Sequence, residues 1–204
     1  MLALPLLAAA MALVPPEPKG ELVSNSNYPQ WALQRDKSAG VVYTLLISPD
    51  GEIAKCMIRA KVGNDKLAGQ ICDMIKRRKT TLRPALASDG MTTYGVYTDT
   101  VNFFIPNTPG SDGLPIRRAP DAELTVSQMP SGLSSPADIH VAVEVGTQGT
   151  IEHCGAVGKK PDATLTALAC KQLGGMQLGV MNLGTKGENV PYVRSLTVRF
   201  TTAG

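Results

Sequence analysis

Four cysteines and two histidines carry the most reactive side chains of this 204-residue sequence. Cys56 and Cys72 lie sixteen positions apart, and so do Cys154 and Cys170. Three chemistries use such residues: a disulfide, a zinc site and a nucleophilic thiolate. Zinc would draw on Cys154, Cys170, His153 beside Cys154 and one further ligand, but the matching position before Cys56 is Lys55, which is no ligand. A nucleophilic Cys154 needs a nearby base, and His153 is its neighbour in sequence. Neighbours on a strand point to opposite faces, so His153 is badly placed for that task. An even cysteine count at matched spacing argues for disulfides, with four buried thiols as the alternative. Neither Gly-x-Ser-x-Gly nor His-Glu-x-x-His occurs. The run from Gly179 to Gly184-Thr185-Lys186 lacks the Ser or Thr that follows the lysine of a phosphate loop. No catalytic residue, metal ligand or cofactor is assigned, and the expected activity is non-enzymatic.

One basic cluster stands out: Lys76-Arg77-Arg78-Lys79, with Arg83 nearby. At the end of a helix such cations complement the helix dipole. The sharper reading is contact with anionic lipid or an acidic partner. Charge is uneven along the chain, with 12 basic and 9 acidic groups in residues 1–105 and 8 of each in 106–204. A net charge of +3 and nine aromatic residues speak against a nucleic-acid partner. A hydrophobic fraction of 43% with 18% charged residues describes a globular chain. Twenty glycines and fifteen prolines favour strands and turns over a helical bundle.

Export fits the cysteines. Met1–Val14 is uncharged and apolar, and too short for the roughly 20 residues of a membrane-spanning helix. It suits a secretory signal, residues 1–12, with cleavage after Ala12 behind Ala10. An uncleaved tethering segment is the alternative, and it would be the only membrane contact.

The elements that must hold the cysteines repeat along the chain. At an offset of 98, Val41, Tyr43, Leu45 and Ile47 match Ile139, Val141, Val143 and Val145. Gly51 matches Gly149, Ile53 matches Ile151, Cys56 matches Cys154, Leu67 matches Leu165 and Cys72 matches Cys170. At an offset of 97, Gly90 matches Gly187, Val96 matches Val193, Val101 matches Val198 and Phe103 matches Phe200. Each copy reads strand, turn, strand, helix, loop, strand. The strands alternate as half-buried strands do, and the turns at Asp50-Gly51 and Gln148-Gly149 join them as hairpins. The helices are expected near Asp65–Arg78, capped by Asn64 or Asp65, and near Asp162–Leu173, capped by Asp162. The final strands are expected over Gly95–Ile105 and Val190–Thr202. Within each copy, a disulfide (Cys56–Cys72, Cys154–Cys170) would tie the second strand to the helix. The fold class is α+β, in two tandem units, each a small antiparallel sheet packed on a helix. Unit one spans 21–105 and unit two 137–204. The stretch between them, 106–136, is rich in Pro, Gly and Ser and reads as a linker, with a short strand available at Leu124-Thr125-Val126. A shorter proline-rich piece, Pro15–Lys19, follows the leader.

The first unit runs through Tyr28-Pro29, Ala32, Gly40-Val41, Asp50-Gly51, Leu67, Arg83-Pro84-Ala85 and Asp89-Gly90 to a last strand. This order resembles the C-terminal domain of TonB-family proteins over residues 28–105. The second unit resembles it more weakly over 138–202, without the Tyr-Pro and Pro-Ala elements. The resemblance implies a periplasmic domain of the Gram-negative cell envelope, with a three-stranded antiparallel sheet and helices on one face. It implies that an extended segment, such as one from an outer-membrane receptor in transport, pairs with the last strand by β-augmentation. The corresponding positions are Val96, Tyr97 and Thr98 in unit one and Tyr192, Val193 and Arg194 in unit two. The competing expectation is that these strands are covered by the other unit or by a homodimer. The chain would then be a structural, envelope-associated protein.

Overall fold

The computed structural model describes residues 12–78, 82–108, 111–158, 161–183 and 187–203. The leader up to Met11, Lys79 of the basic cluster and Gly184-Thr185-Lys186 lie outside the described residues.

A short helix α1 (Gln30–Leu33) precedes the hairpin of β1 (Ala39–Ile47) and β2 (Ile53–Gly63). The chain continues through α2 (Asp65–Gly69), α3 (Ile71–Arg77), β3 (Ala85–Leu86) and β4 (Thr92–Phe103). After β5 (Ala122–Val126) comes a second hairpin, β6 (Ala137–Val145) and β7 (Ile151–Ala156). Then follow α4 (Ala163–Leu173), β8 (Met181–Leu183), β9 (Glu188–Val190) and β10 (Tyr192–Thr202).

Local chemistry explains these boundaries. Gly51 and Gly149 close their hairpin turns at φ of 82° and 83°, a region that disfavours side chains. The Asn64 side chain accepts from the Leu67 N–H at 3.0 Å, and Asp162 accepts from Leu165 at 2.8 Å, so each caps its helix. The single helix expected near Asp65–Arg78 is interrupted after Gly69. There Gln70 N–H turns back to the Leu67 carbonyl at 3.2 Å. Both hairpins shift register near the turn, which leaves Ala54 and Glu152 as the extra residues.

Leu45 lies between Cys56 on β2 and Tyr97 on β4, and Val143 lies between Cys154 on β7 and Arg194 on β10. Disulfides join Cys56 to Cys72 and Cys154 to Cys170, each tying a strand to a helix. Zinc or thiolate chemistry at Cys154 is therefore excluded while that bond is intact.

The two small sheets expected from the sequence are one continuous sheet. Its strand order is β2–β1–β4–β10–β6–β7, with β3 added beside β4 and β5 beside β10. β4 and β10 run parallel at the join. Helices pack on opposite faces of this sheet. Val41, Tyr43, Leu45 and Ile47 face Leu67, Ile71 and Ile75. On the other face, Val141, Val143, Val145, Leu196 and Phe200 meet Leu165, Ala169 and Leu173. Leu46 and Val96 belong to this second core, so β1 is buried on both faces rather than one.

Both proline-rich segments pack on the sheet. Val14 exchanges backbone hydrogen bonds with Leu86 at 3.1 and 2.9 Å, and Glu17 with Arg83 at 3.3 and 2.9 Å. Leu13 is buried against Ala85, Ala142 and Val193. A Cβ on Gly95 would come within 2.6 Å of Pro16. The proline-rich piece after the leader is thus a docked strap. The span from Pro106 to Pro136 contributes β5 to the sheet rather than running free.

Replacing Cys56 and Cys72 together by Ala is expected to lower the unfolding free energy by about 3 kcal/mol, from the loop the bond closes. Guanidinium titration with the second bridge intact measures it.

Candidate protein-binding site

Of the six strand positions expected to receive a partner, Val96, Tyr192, Val193 and Arg194 meet at the join of the sheet, and Tyr97 and Thr98 lie just beyond it. Tyr94, Gly95 and Val96 of β4 pair with Tyr192, Val193 and Arg194 of β10. Along this ladder, and not beyond it, the strand edges that an incoming strand would need face each other within the chain. The covering of each last strand by the other half is the arrangement observed at this ladder. Its source is the parallel approach of two strands that each lack a second neighbour in their own hairpin sheet.

Beyond the ladder the two strands part. Asp121 fills the fork on the β10 side. Its N–H donates to the Thr197 carbonyl, and its Oδ2 accepts from the Thr197 N–H, both at 2.8 Å. Asp121 Oδ1 accepts from Arg194 Nη2 at 3.1 Å, and Oδ2 is bridged by Arg118. From Val198 to Thr202, β5 completes the edge of β10 in parallel. Burial depresses the basicity of Arg194, and the nearby Asp121 carboxylate opposes that effect. Arg194 Nε is a buried donor with no partner among the described residues.

The β4 side of the fork is filled less regularly. Beyond Val96, β4 pairs only with β1 among the described residues. The Thr98 carbonyl accepts from Arg118 at 3.5 Å, at the limit of a hydrogen bond. The Asn102 side chain exchanges bonds of 2.9 and 2.8 Å with the backbone of Ile116. A cleft of about 570 Å³ opens here, lined by Pro16, Glu17, Val96, Tyr97, Thr98 and Thr197 among others. Tyr97 donates its hydroxyl to Asp99 at 2.8 Å. Thus the half-buried Tyr97 and Thr98, with the buried Val96 beside them, line a cleft, whereas Tyr192 and Val193 are buried away from it.

Burial raises the phenols of Tyr28, Tyr43, Tyr97 and Tyr192 above the ordinary tyrosine value, with Asp99 adding to the rise at Tyr43 and Tyr97. His153 reaches Glu144 at 3.1 Å and the Ser88 hydroxyl at 3.3 Å, and both contacts are made by one ring nitrogen, Nδ1. That is a link between the halves rather than a relay, because serine and carboxylate do not sit on opposite nitrogens. Of the basic cluster, Lys76 and Arg77 end α3, Arg78 donates to the Glu21 carbonyl at 2.6 Å, and Arg83 bridges Glu17 at 3.2 Å.

Sequence reasoning missed Arg118, Asp121 and the strap. An Asp three positions past a pair of arginines in a proline-rich stretch carries no periodic signal. Only the alternation in β10, broken by Arg194 among inward-facing apolar positions, hints at a buried partner.

Breaking the Asp121–Arg194 pair is expected to be asymmetric. Asp121→Ala strands a buried cation and costs about 3 kcal/mol or more, while Arg194→Met leaves Asp121 with Arg118 and costs less. Urea titration compares the two. A second expectation concerns pH. Each raised phenol favours the folded state while neutral. That contribution is whole below about pH 10, the unfolded tyrosine value, and is lost as pH rises further. Tyrosinate absorbance followed alongside circular dichroism tests whether ionisation and unfolding coincide.

Residues 24–103 match the family model described as Gram-negative bacterial TonB protein C-terminal. A TonB C-terminal-like domain thus extends from before α1 to the end of β4. No curated protein and no solved structure matches the chain.

Proposed function

We propose that the chain is a periplasmic, non-enzymatic protein-interaction module of two TonB-C-like units, residues 21–105 and 137–204, the second divergent. In this reading residues 1–12 direct export, and 106–136 serve as a connecting segment that also lines the fork. The partner is an extended protein segment, such as one from an outer-membrane receptor, taken up by pairing with a sheet edge. The observation that carries the reading is the stretch of β4 from Tyr97 to Phe103. It has a strand on one side only among the described residues, and its first two residues, Tyr97 and Thr98, line a cleft. Tyr97 and Thr98 would contact the incoming segment directly, with Val96 beside them at the end of the ladder. Tyr192, Val193 and Arg194 would support them from across the ladder.

The ladder itself favours a second reading, a structural envelope protein whose last strands cover one another. The two separate in one experiment. A photoreactive residue in place of Asp99, which is exposed on that stretch, is crosslinked in intact cells. Capture of an outer-membrane receptor supports recruitment at β4. Crosslinks confined to the chain, or to a second copy, give the structural reading the lead.

A further inference from the structure

The outer edge of the sheet at β2 is a surface apart from the cleft. β2 is eleven residues long and ends the strand order, and no strand pairs with its outer side among the described residues. Nine of the twenty basic side chains of the chain fall in residues 53–83, against two acidic ones. Three of the nine, Lys55, Arg59 and Lys61, are on β2 itself, which has no acidic residue. Lys61 is bridged by Asp65 at 2.6 Å. Lys55 and Arg59 are instead held by neutral groups, the Asn182 amide at 3.0 Å and the Thr44 hydroxyl at 3.3 Å, so these contacts leave their charge uncompensated. Arg59 is the extra residue of a second register shift, and Arg59, Ala60 and Lys61 are all exposed.

Next to this exposed run is a shallow socket of about 280 Å³, bounded by Ile58, Ala60, Ala68 and Gly69. A Cβ on Gly69 would meet nothing within 4 Å, so the socket is open above it. Cations on an edge strand bar a second copy from pairing β2 with β2, because like charges would face each other. The same cations favour a strand that carries carboxylates, and the socket takes an apolar side chain between them. We infer that the β2 edge, with the socket beside α2, docks an extended acidic protein segment in which carboxylates alternate with apolar residues. Main-chain pairing supplies affinity, and the alternation supplies selectivity.

The probe is a peptide of about ten residues, a long strand's length, alternating Glu with Val. A Lys-Val peptide of equal length is the control. Amide shifts are followed on the labelled full chain. The expected result is saturable shifts confined to residues 53–69 with the acidic peptide only, weakened by added salt. Arg59→Glu with Lys61→Glu is expected to reduce affinity about tenfold or more, the range of a charge pair turned repulsive. Gly69→Leu, which adds an apolar side chain at the rim of the socket and keeps every charge, is expected to weaken binding as well, and serves if the double reversal does not fold. Equal binding of both peptides, shifts elsewhere or none at all overturns the inference. So does binding of phosphatidylglycerol vesicles through these residues while the peptide fails. The surface lies across β1 from β4, so this result and the Asp99 crosslink succeed or fail separately.

Discussion

Three residue pairs join the halves of this molecule into one sheet. The ladder of Tyr94–Val96 with Tyr192–Arg194 is parallel, and paired residues share a face. Each half keeps its helices on the side its own apolar stripe dictates. A parallel join of the two last strands therefore places α2 and α3 on one face and α4 on the other. The back face of each half is then a surface to be covered. Leu46 and Val96 bury theirs in the core of α4, and Ala142 and Val193 bury theirs under Leu13. A core shared in this way makes each half depend on the other beyond the few hydrogen bonds of the ladder.

Such a join also decides where the remaining polar chemistry must go. Two parallel strands that start together and then separate leave a wedge with unpaired backbone on both sides. Buried backbone groups need partners, and the connecting segment brings them. Asp121 pairs with both backbone groups of Thr197, and β5 takes over from Val198. The charge on Asp121 is itself met by Arg118 and Arg194. The wedge is filled by Asp121 and β5 along β10 and only in places along β4, and the cleft that remains lies between Val96–Thr98 of β4 and Ser195 and Thr197 of β10.

Features set by neighbours in sequence were legible before the fold. Gly51 and Gly149 mark their turns, Asn64 and Asp162 mark their helix starts, and the cysteine spacing marks the two bridges. Each depends on residues within one turn or one hairpin. The join was not legible as a geometry. Val96 and Arg194 are ninety-eight positions apart, and their alternation is the same whether an edge is open or paired. The strap went unassigned for a related reason. Prolines usually mark spacers, yet Pro16 lies flat over Gly95, where a missing side chain leaves room. Residue types alone do not record that complementarity.

The strap has a mechanical meaning. It is held at one end by Leu13, seated over Ala85, Ala142 and Val193, which come from both halves. Its next bonds, at Val14 and Glu17, run to the segment that leads into β4. A pull on the chain upstream of Leu13 would reach the two halves at a single point before stretching anything else. Tension there would lift a plug from the shared seam, rather than unravel one half from its end.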